Sequence, residues 1–158
     1  MRIPKIHLSD KTVELFATWF YIGKFPLGPG TLASFVGMLM CFVLANSLVL
    51  YVLVFLAVSV IGFSVGDRME AITGQKDPGS VVIDEVAGIM IAFFLLPMMP
   101  SVALVTFFLF RAFDMFKVYP VNKFEELHGS VGIMMDDIIA GLYTCITMHI
   151  AIRWTGII

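Results

Sequence analysis

The 158-residue chain is short of charge: its 12 Asp and Glu and 10 Lys and Arg make up 14% of the sequence, against 59% hydrophobic residues. An ordinary soluble domain is roughly 25% charged and about 45–50% apolar, so a water-exposed globule and a disordered chain are both excluded. The scarcity is also uneven. Six charges lie in residues 1–24, seven in 67–85 and eight in 111–137, with Arg153 near the end; residues 32–66, 86–110 and 138–152 carry none. Charge-free runs of about 18 residues or more are the signature of membrane-spanning helices, and a single integral-membrane domain over 1–158 is expected.

Other absences narrow the function. With a net charge of −2 and no Lys/Arg run, the chain lacks the basic field that holds nucleic acid, so no nucleic-acid partner is expected. The two cysteines, Cys41 and Cys145, sit inside apolar stretches and read as packing residues or lipid-facing ones rather than as a disulfide or a reactive thiolate. No small-residue cleavage pattern precedes the first apolar run, and the N-terminus is expected to be retained. No cysteine lies in a loop beside an arginine, and no histidine is paired with a basic signature: His7 and His149 lie outside the charged clusters and His128 stands alone. A P-loop is missing as well. Among phosphate chemistries, carboxylates with a divalent cation remain.

The run 32–66 is too long for one helix across roughly 30 Å of hydrocarbon, and Asn46-Ser47 interrupts it, so it predicts a hairpin of two helices. The run 86–110 is broken by Pro97-Met98-Met99-Pro100, which predicts a second hairpin with arms of about 12 to 16 residues, or roughly 18–24 Å. A last helix is expected from Ile138 to about Trp154, anchored by Arg153 and Trp154. Ahead of these, Ser9 can cap a helix whose Val13, Phe16, Ala17 and Phe20 share one face, as in an amphipathic helix lying in the membrane interface. The expected fold is all-α: a polytopic membrane bundle of short helices, two hairpins plus a C-terminal helix, with an N-terminal interfacial helix. Two hairpins would bring 1–30, 67–85 and 111–137 to one face with nine of the ten Lys and Arg, which the positive-inside rule makes cytoplasmic.

Charges that end or interrupt membrane helices are costly and mark function by default. Asp84-Glu85 is expected to open the second hairpin and Asp136-Asp137 the last helix, supplying four carboxylates to one site. Hard-oxygen clusters of this kind suit Mg²⁺, although acids also favour helix N-termini through the helix dipole. Arg111, Asp114 and Lys117 recur along one helical flank and read as a phosphate clamp beside a metal, or as snorkelling bases with a local ion pair. Between Gly23 and Ser34, the run through Lys24, Gly28, Pro29, Gly30 and Thr31 leads into a helix. Free amides there, with the Thr31 and Ser34 hydroxyls, could hold an anion; Pro and Gly before a helix are also simply a turn.

Several stretches carry a resemblance. Phe16-Ala17-Thr18 through Pro29-Gly30-Thr31 and Ser34, then Asp77-Pro78-Gly79-Ser80-Val81-Val82-Ile83-Asp84-Glu85-Val86-Ala87-Gly88, resemble the phosphatidylglycerophosphatase A family. So do Phe110-Arg111-Ala112-Phe113-Asp114-Met115-Phe116-Lys117 with Pro120, and His128-Gly129 through Gly132-Ile133-Met134-Met135-Asp136-Asp137 with Ala140-Gly141. The chain departs from the family pattern at Lys117-Val118, at Gly129-Ser130 and at Trp19-Phe20-Tyr21-Ile22, where the family has Lys-Pro, Gly-Gly and a Gly-rich stretch. The resemblance implies a bacterial inner-membrane phosphatase with its site on the cytoplasmic side. Its reaction would be Mg²⁺-dependent hydrolysis of phosphatidylglycerophosphate to phosphatidylglycerol and inorganic phosphate.

On that reading Asp84, Glu85, Asp136 and Asp137 hold the metal, with Asp114 a further catalytic carboxylate. Arg111, Lys117 and Lys24 neutralise the phosphoryl oxygens, with Gly30, Thr31 and Ser34 lining the phosphate site. The membrane phospholipid substrate is the expected partner, and the sequence leaves the oligomeric state and the nucleophile, water or carboxylate, open. Two alternatives stand beside it: a phosphatase for another lipid phosphate, and a non-catalytic cation-binding membrane protein.

Overall fold

Ser9 caps the first helix as its sequence predicts: its hydroxyl accepts the Thr12 N–H at 3.2 Å and α1 runs Asp10–Ala17. In the computed structural model, which describes residues 9–116, 119 and 127–156, five further α-helices follow among the described residues and no strand is present. They are α2 (Pro29–Leu44), α3 (Leu48–Thr73), α4 (Ile83–Ala92), α5 (Pro100–Phe116) and α6 (Ser130–Thr155), with a short 3₁₀ turn at Ile22–Lys24 before α2. Lys117 lies outside the described residues.

The breaks obey local chemistry. Ser47 caps α3 by accepting the Leu50 N–H at 3.3 Å, which turns the long apolar run back on itself at Asn46-Ser47. Pro100 opens α5, where its missing N–H is no loss. α4 stops at Ala92, five residues short of Pro97, as Leu95 takes a left-handed φ of 57°.

Helix lengths correct the expectation of a bundle made only of short helices. At 1.5 Å per residue α4 is about 15 Å long, and α2 and α5 are about 24–26 Å. α3 and α6 have 26 residues each, and both are long and apolar enough to cross a membrane. Val49, Leu53, Leu56 and Val60 of α3 form a stripe that is at least half exposed; an apolar stripe of this length fits lipid rather than water. Such an exterior, with two helices of this length, suits a membrane protein.

α4 is the axis of the bundle. Eight of its ten residues are buried, with α2, α3, α5 and α6 all packed on it. Its tightest neighbour is α6, which runs in the same direction and crosses it at Gly88 and Gly141. A Cβ at Gly88 would lie 2.6 Å from the Asp137 carbonyl oxygen and 2.9 Å from the Phe110 ring, and one at Gly141 would strike the Gly88 carbonyl. Only glycines let the two backbones touch, as in small-residue crossings of membrane helices.

α6 begins eight residues before Ile138, the expected start. The reason is a cap supplied by α3: Asp67 Oδ1 accepts the Ser130 N–H at 2.6 Å and Glu70 Oε2 accepts the Gly129 N–H at 2.9 Å. Two free amides at the start of α6 are thereby satisfied. Ser130 packs on Gly66 and Met134 on Gly62, so α3 and α6 run antiparallel. Asp136 and Asp137 therefore lie between one and two turns inside α6 and do not open it.

The N-terminal helix also differs from expectation. Val13 and Ala17 are buried and α1 packs against α3, so its apolar side faces the protein. Phe20 is not on that helix; it sits in a left-handed run with Trp19 and Tyr21, at φ 44°, 55° and 68°.

Candidate active site

The starts of α2 and α4, the end of α5 and the first turns of α6 converge at one end of the bundle. Asp84 and Glu85 lie in the first turn of α4. The α4–α6 crossing brings Asp137 beside them, and one carboxylate oxygen from each of the three residues lies within 4.8 Å of the other two. Asp84 and Asp137 are buried. Arg111, from the last turns of α5, donates from Nη1 to Asp114 Oδ2 at 2.8 Å and to Ser34 Oγ at 3.3 Å. Ser34 Oγ in turn donates to the Gly30 carbonyl at 2.8 Å, which ties α2 to the arginine.

Gly30 is where α2 comes closest. A Cβ there would collide with Glu85 Oε1 and lie 3.6 Å from Arg111 Nη2, so a hydrogen at this position is what admits the carboxylate. No side chain caps α2, and its first amides belong to the positive end of a helix dipole next to Glu85.

Electrostatics make the cluster unfinished as protein alone. Asp114 is near enough to Glu85 and Asp137, and Asp136 to Asp84 and Asp137, for their charges to repel, so five carboxylates gather around the Arg111 guanidinium. Asp84 Oδ1, Glu85 Oε2 and Asp137 Oδ2 are buried without a hydrogen-bond partner, and so is Arg111 Nε. An unmet buried polar atom costs roughly 1–3 kcal/mol, more when charged. Three carboxylates that bring an oxygen each within 4.8 Å of one another and each keep an unpaired oxygen, with Arg111 next to Glu85, suit a hard divalent cation and an anion held together. Three hard oxygen donors fit the preference of Mg²⁺ for carboxylates, waters and substrate phosphate, so the residues present suit the metal that the sequence suggested.

The remaining expected site residues fall as follows. Asp136 is buried next to the cluster but outside the three-carboxylate group, and its Oδ1 accepts the Asp137 N–H at 3.0 Å. Asp136 is nonetheless near enough to Asp84 and Asp137 for their charges to repel, so it stands as a neighbour of the cluster. Lys24 is ion-paired with Glu14 at 2.7 Å and lies 5.0 Å over the Tyr21 ring. Thr31 is exposed on the flank of α2. Asp67 and Glu70, which sequence reasoning passed over, act through the α6 cap; only the pairing of α3 with α6 exposes that role.

At the opposite end of α4 the chain satisfies its own broken helix. Tyr51 Oη donates to the Met90 carbonyl at 2.5 Å and lies 3.3 Å from Cys41 Sγ. His149 Nε2 donates to the Phe94 carbonyl at 3.0 Å, where Cys145 Sγ also points at 3.6 Å. A helix ending in an apolar matrix needs such partners, and both cysteines are packing residues.

Comparison with known proteins follows this geometry. A family model described as phosphatidylglycerophosphatase A matches residues 15–152. A phosphatidylglycerophosphatase A from Haemophilus influenzae is 33% identical over 161 aligned positions, covering 96% of this chain and 95% of that protein. The one from Escherichia coli is 35% identical, covering 82% and 77%. A Bacteroides thetaiotaomicron protein named putative phosphatidylinositol-3-phosphatase is 35% identical, covering 89% and 92%. No solved structure matches the fold.

Proposed function

This chain belongs to the phosphatidylglycerophosphatase A family and is a phosphatase, and from that premise we propose that it hydrolyses the terminal phosphate of phosphatidylglycerophosphate, giving phosphatidylglycerol and inorganic phosphate. The observation that carries the reading is the meeting of Asp84, Glu85 and Asp137, with unpaired oxygens, beside Arg111. Asp84, Glu85 and Asp137 would hold Mg²⁺, with Asp114 and Asp136 behind them. A divalent cation in that place supplies Lewis-acid polarisation of a phosphoryl oxygen and makes water a stronger nucleophile at neutral pH.

The chain's own groups do the rest. Arg111, fixed by Asp114 and Ser34, presents its free Nε–H to the phosphoryl oxygens as charge builds on them. Gly30 and the uncapped start of α2 give those oxygens backbone donors at close range. Burial excludes bulk water, which strengthens each of these interactions. Lys117 and Lys24 are proposed as outer cations that draw an anionic head group to the site and leave it once phosphate departs; for Lys24 this means exchanging Glu14 for substrate. Thr31 stands at the mouth of the site with a hydroxyl to offer.

The two-hairpin arrangement supports an inner-membrane, multi-pass protein with this end of the bundle at the cytoplasmic side, where nine of the ten Lys and Arg would gather. A second reading, a phosphatase for another lipid phosphate, is favoured by the Bacteroides relative. Phosphate release from mixed micelles of phosphatidylglycerophosphate, phosphatidate and phosphatidylinositol 3-phosphate, with and without Mg²⁺, separates the two. Asp84→Asn and Asp137→Asn are each expected to lower Mg²⁺-dependent release by about a thousandfold or more while the protein keeps its helical signal and elution volume. Turnover near wild type in either variant refutes the assignment, and a non-catalytic cation-binding protein would release no phosphate at all.

A further inference from the structure

A groove opens on the flank of the site between α2 and α5. Phe25, Leu27, Thr31, Leu32, Phe35 and Phe107 line it, and it is a shallow, open groove with a volume of about 500 Å³. Its lining residues neighbour those of the catalytic cluster along both helices. On α2, Gly30 and Ser34 face Glu85 and Arg111, while Thr31 and Phe35, each one residue further round, face the groove. On α5, Phe107 lies one turn before Arg111, and its ring meets that of Phe35 edge to face at 6.3 Å. The groove thus runs beside the turns of α2 and α5 that carry Ser34 and Arg111, and its own lining is apolar apart from Thr31.

A second groove gives the contrast. Val36, Leu39, Met40, Val43, Leu44 and Val54 line a hollow between α2 and α3 that is apolar throughout. It lies toward the far end of α2, near the turn into α3, and reaches no charged group. Bulk lipid chains can fill such a hollow without regard to head group. The α2–α5 groove differs in lying beside the turns that carry Ser34 and Arg111, and in having one hydroxyl, Thr31, in its lining.

We infer that the α2–α5 groove is the binding site for the diacylglycerol portion of a lipid phosphate whose phosphate lies at Arg111. From Thr31 to Phe35 is about one turn, roughly 6 Å, enough for the glycerol backbone and the first methylenes of an acyl chain; the rest of the chains remain in the bilayer. Substrate then moves sideways out of the membrane leaflet between α2 and α5, and Phe35 and Phe107 select a lipid over a water-soluble phosphomonoester. The inference rests on the lipid-phosphatase reading for the identity of the head group, not for the existence of the groove.

The test has two arms. In phosphatidylcholine vesicles, the wild-type protein is labelled with a diacyl lipid that carries a terminal phosphonate and a photoactivatable group next to the glycerol. A neutral diacylglycerol with the same photoactivatable group serves as the comparison. Labelling of Phe25, Phe35 and Phe107 above Val36, Val43 and Val54, by the phosphonate probe only, is the expected result. Equal labelling of both grooves, or labelling indifferent to the phosphonate, overturns the inference.

In the kinetic arm, Phe35→Trp fills the groove at a half-exposed position and is expected to raise KM for the diacyl substrate about five- to tenfold with kcat little changed, a loss of uniform binding. KM for the deacylated head group should stay as in wild type, and Val43→Trp should leave both unchanged. An unaltered KM for the diacyl substrate in Phe35→Trp also overturns the inference. Absence of phosphate release by the wild-type chain would count against the phosphatase reading alone, since the labelling arm still decides the groove.

Discussion

The two ends of α4 treat polar groups in opposite ways. At its C-terminal end Tyr51, Cys145 and His149 each reach a main-chain carbonyl, Met90 or Phe94, that the short helix leaves open. At its N-terminal end Asp84 Oδ1, Glu85 Oε2, Asp137 Oδ2 and Arg111 Nε are buried and meet no partner. A chain that supplies a tyrosine, a cysteine and a histidine to finish one end would not leave three carboxylates unfinished at the other without a use for them. At the ends of α4, saturated polar groups finish the structure and a cluster of unsaturated ones leaves room for ligands.

Several substitutions would break or sharpen that contrast. The largest effect is expected from Asp137→Asn at the unfinished end, where catalysis falls by about three orders of magnitude while thermal stability holds or rises, because a buried repulsion is removed. Next comes the crossing that connects the two ends. Gly141→Leu drives a side chain into the Gly88 carbonyl and Ile91 and should cost about 1–3 kcal/mol or more as α6 is pushed off α4. Activity per folded molecule should fall with it, read from thermal melts and phosphate release on the same sample.

Tyr51→Phe at the finished end should lower stability by about 1–3 kcal/mol, since the Met90 carbonyl and the Cys41 thiol lose their partner. Its kcat per folded molecule should stay within twofold of wild type; a large loss of kcat would show that the two ends are not separate in role. Asp67→Ala removes the cap of α6 and is expected to cost about 0.5–2 kcal/mol, with a modest rise in the Mg²⁺ concentration needed for half-maximal rate as Asp137 loosens. The smallest effect belongs to the exposed Arg68–Asp10 pair, 2.7 Å apart. Its removal should change stability by less than about 1 kcal/mol and activity not at all.

Much of this was legible in local signals. Ser9, Ser47 and Pro100 are caps and starts that act on their own immediate neighbours, and each begins a helix where the sequence places it. The acidic pair Asp84-Glu85 reads correctly as the opening of α4 for the same reason. The start of α6 was not legible, because its cap comes from Asp67 and Glu70, about sixty residues upstream; no window around Ile138 contains that information. The end of α4 escaped notice because Pro97 is the stronger local breaker, while the carbonyls freed at Met90 and Phe94 are met by α3 and α6. Lys24 reads from its glycine-rich surroundings as a phosphate ligand, yet α1 brings Glu14 to it first.

The sequence by itself determined the solvent and the inventory. With 14% charged residues gathered in a few segments, the apolar runs suit lipid, and the carboxylates, Arg111 and the phosphate-binding candidates lie where those runs end. Only the tertiary structure decided which acids meet. The acids that come within 4.8 Å of one another are Asp84, Glu85 and Asp137, with Asp136 beside them, and the Gly88–Gly141 crossing is what brings α6 that close to α4. A contact between two backbones brings these acids together, and composition cannot encode that meeting.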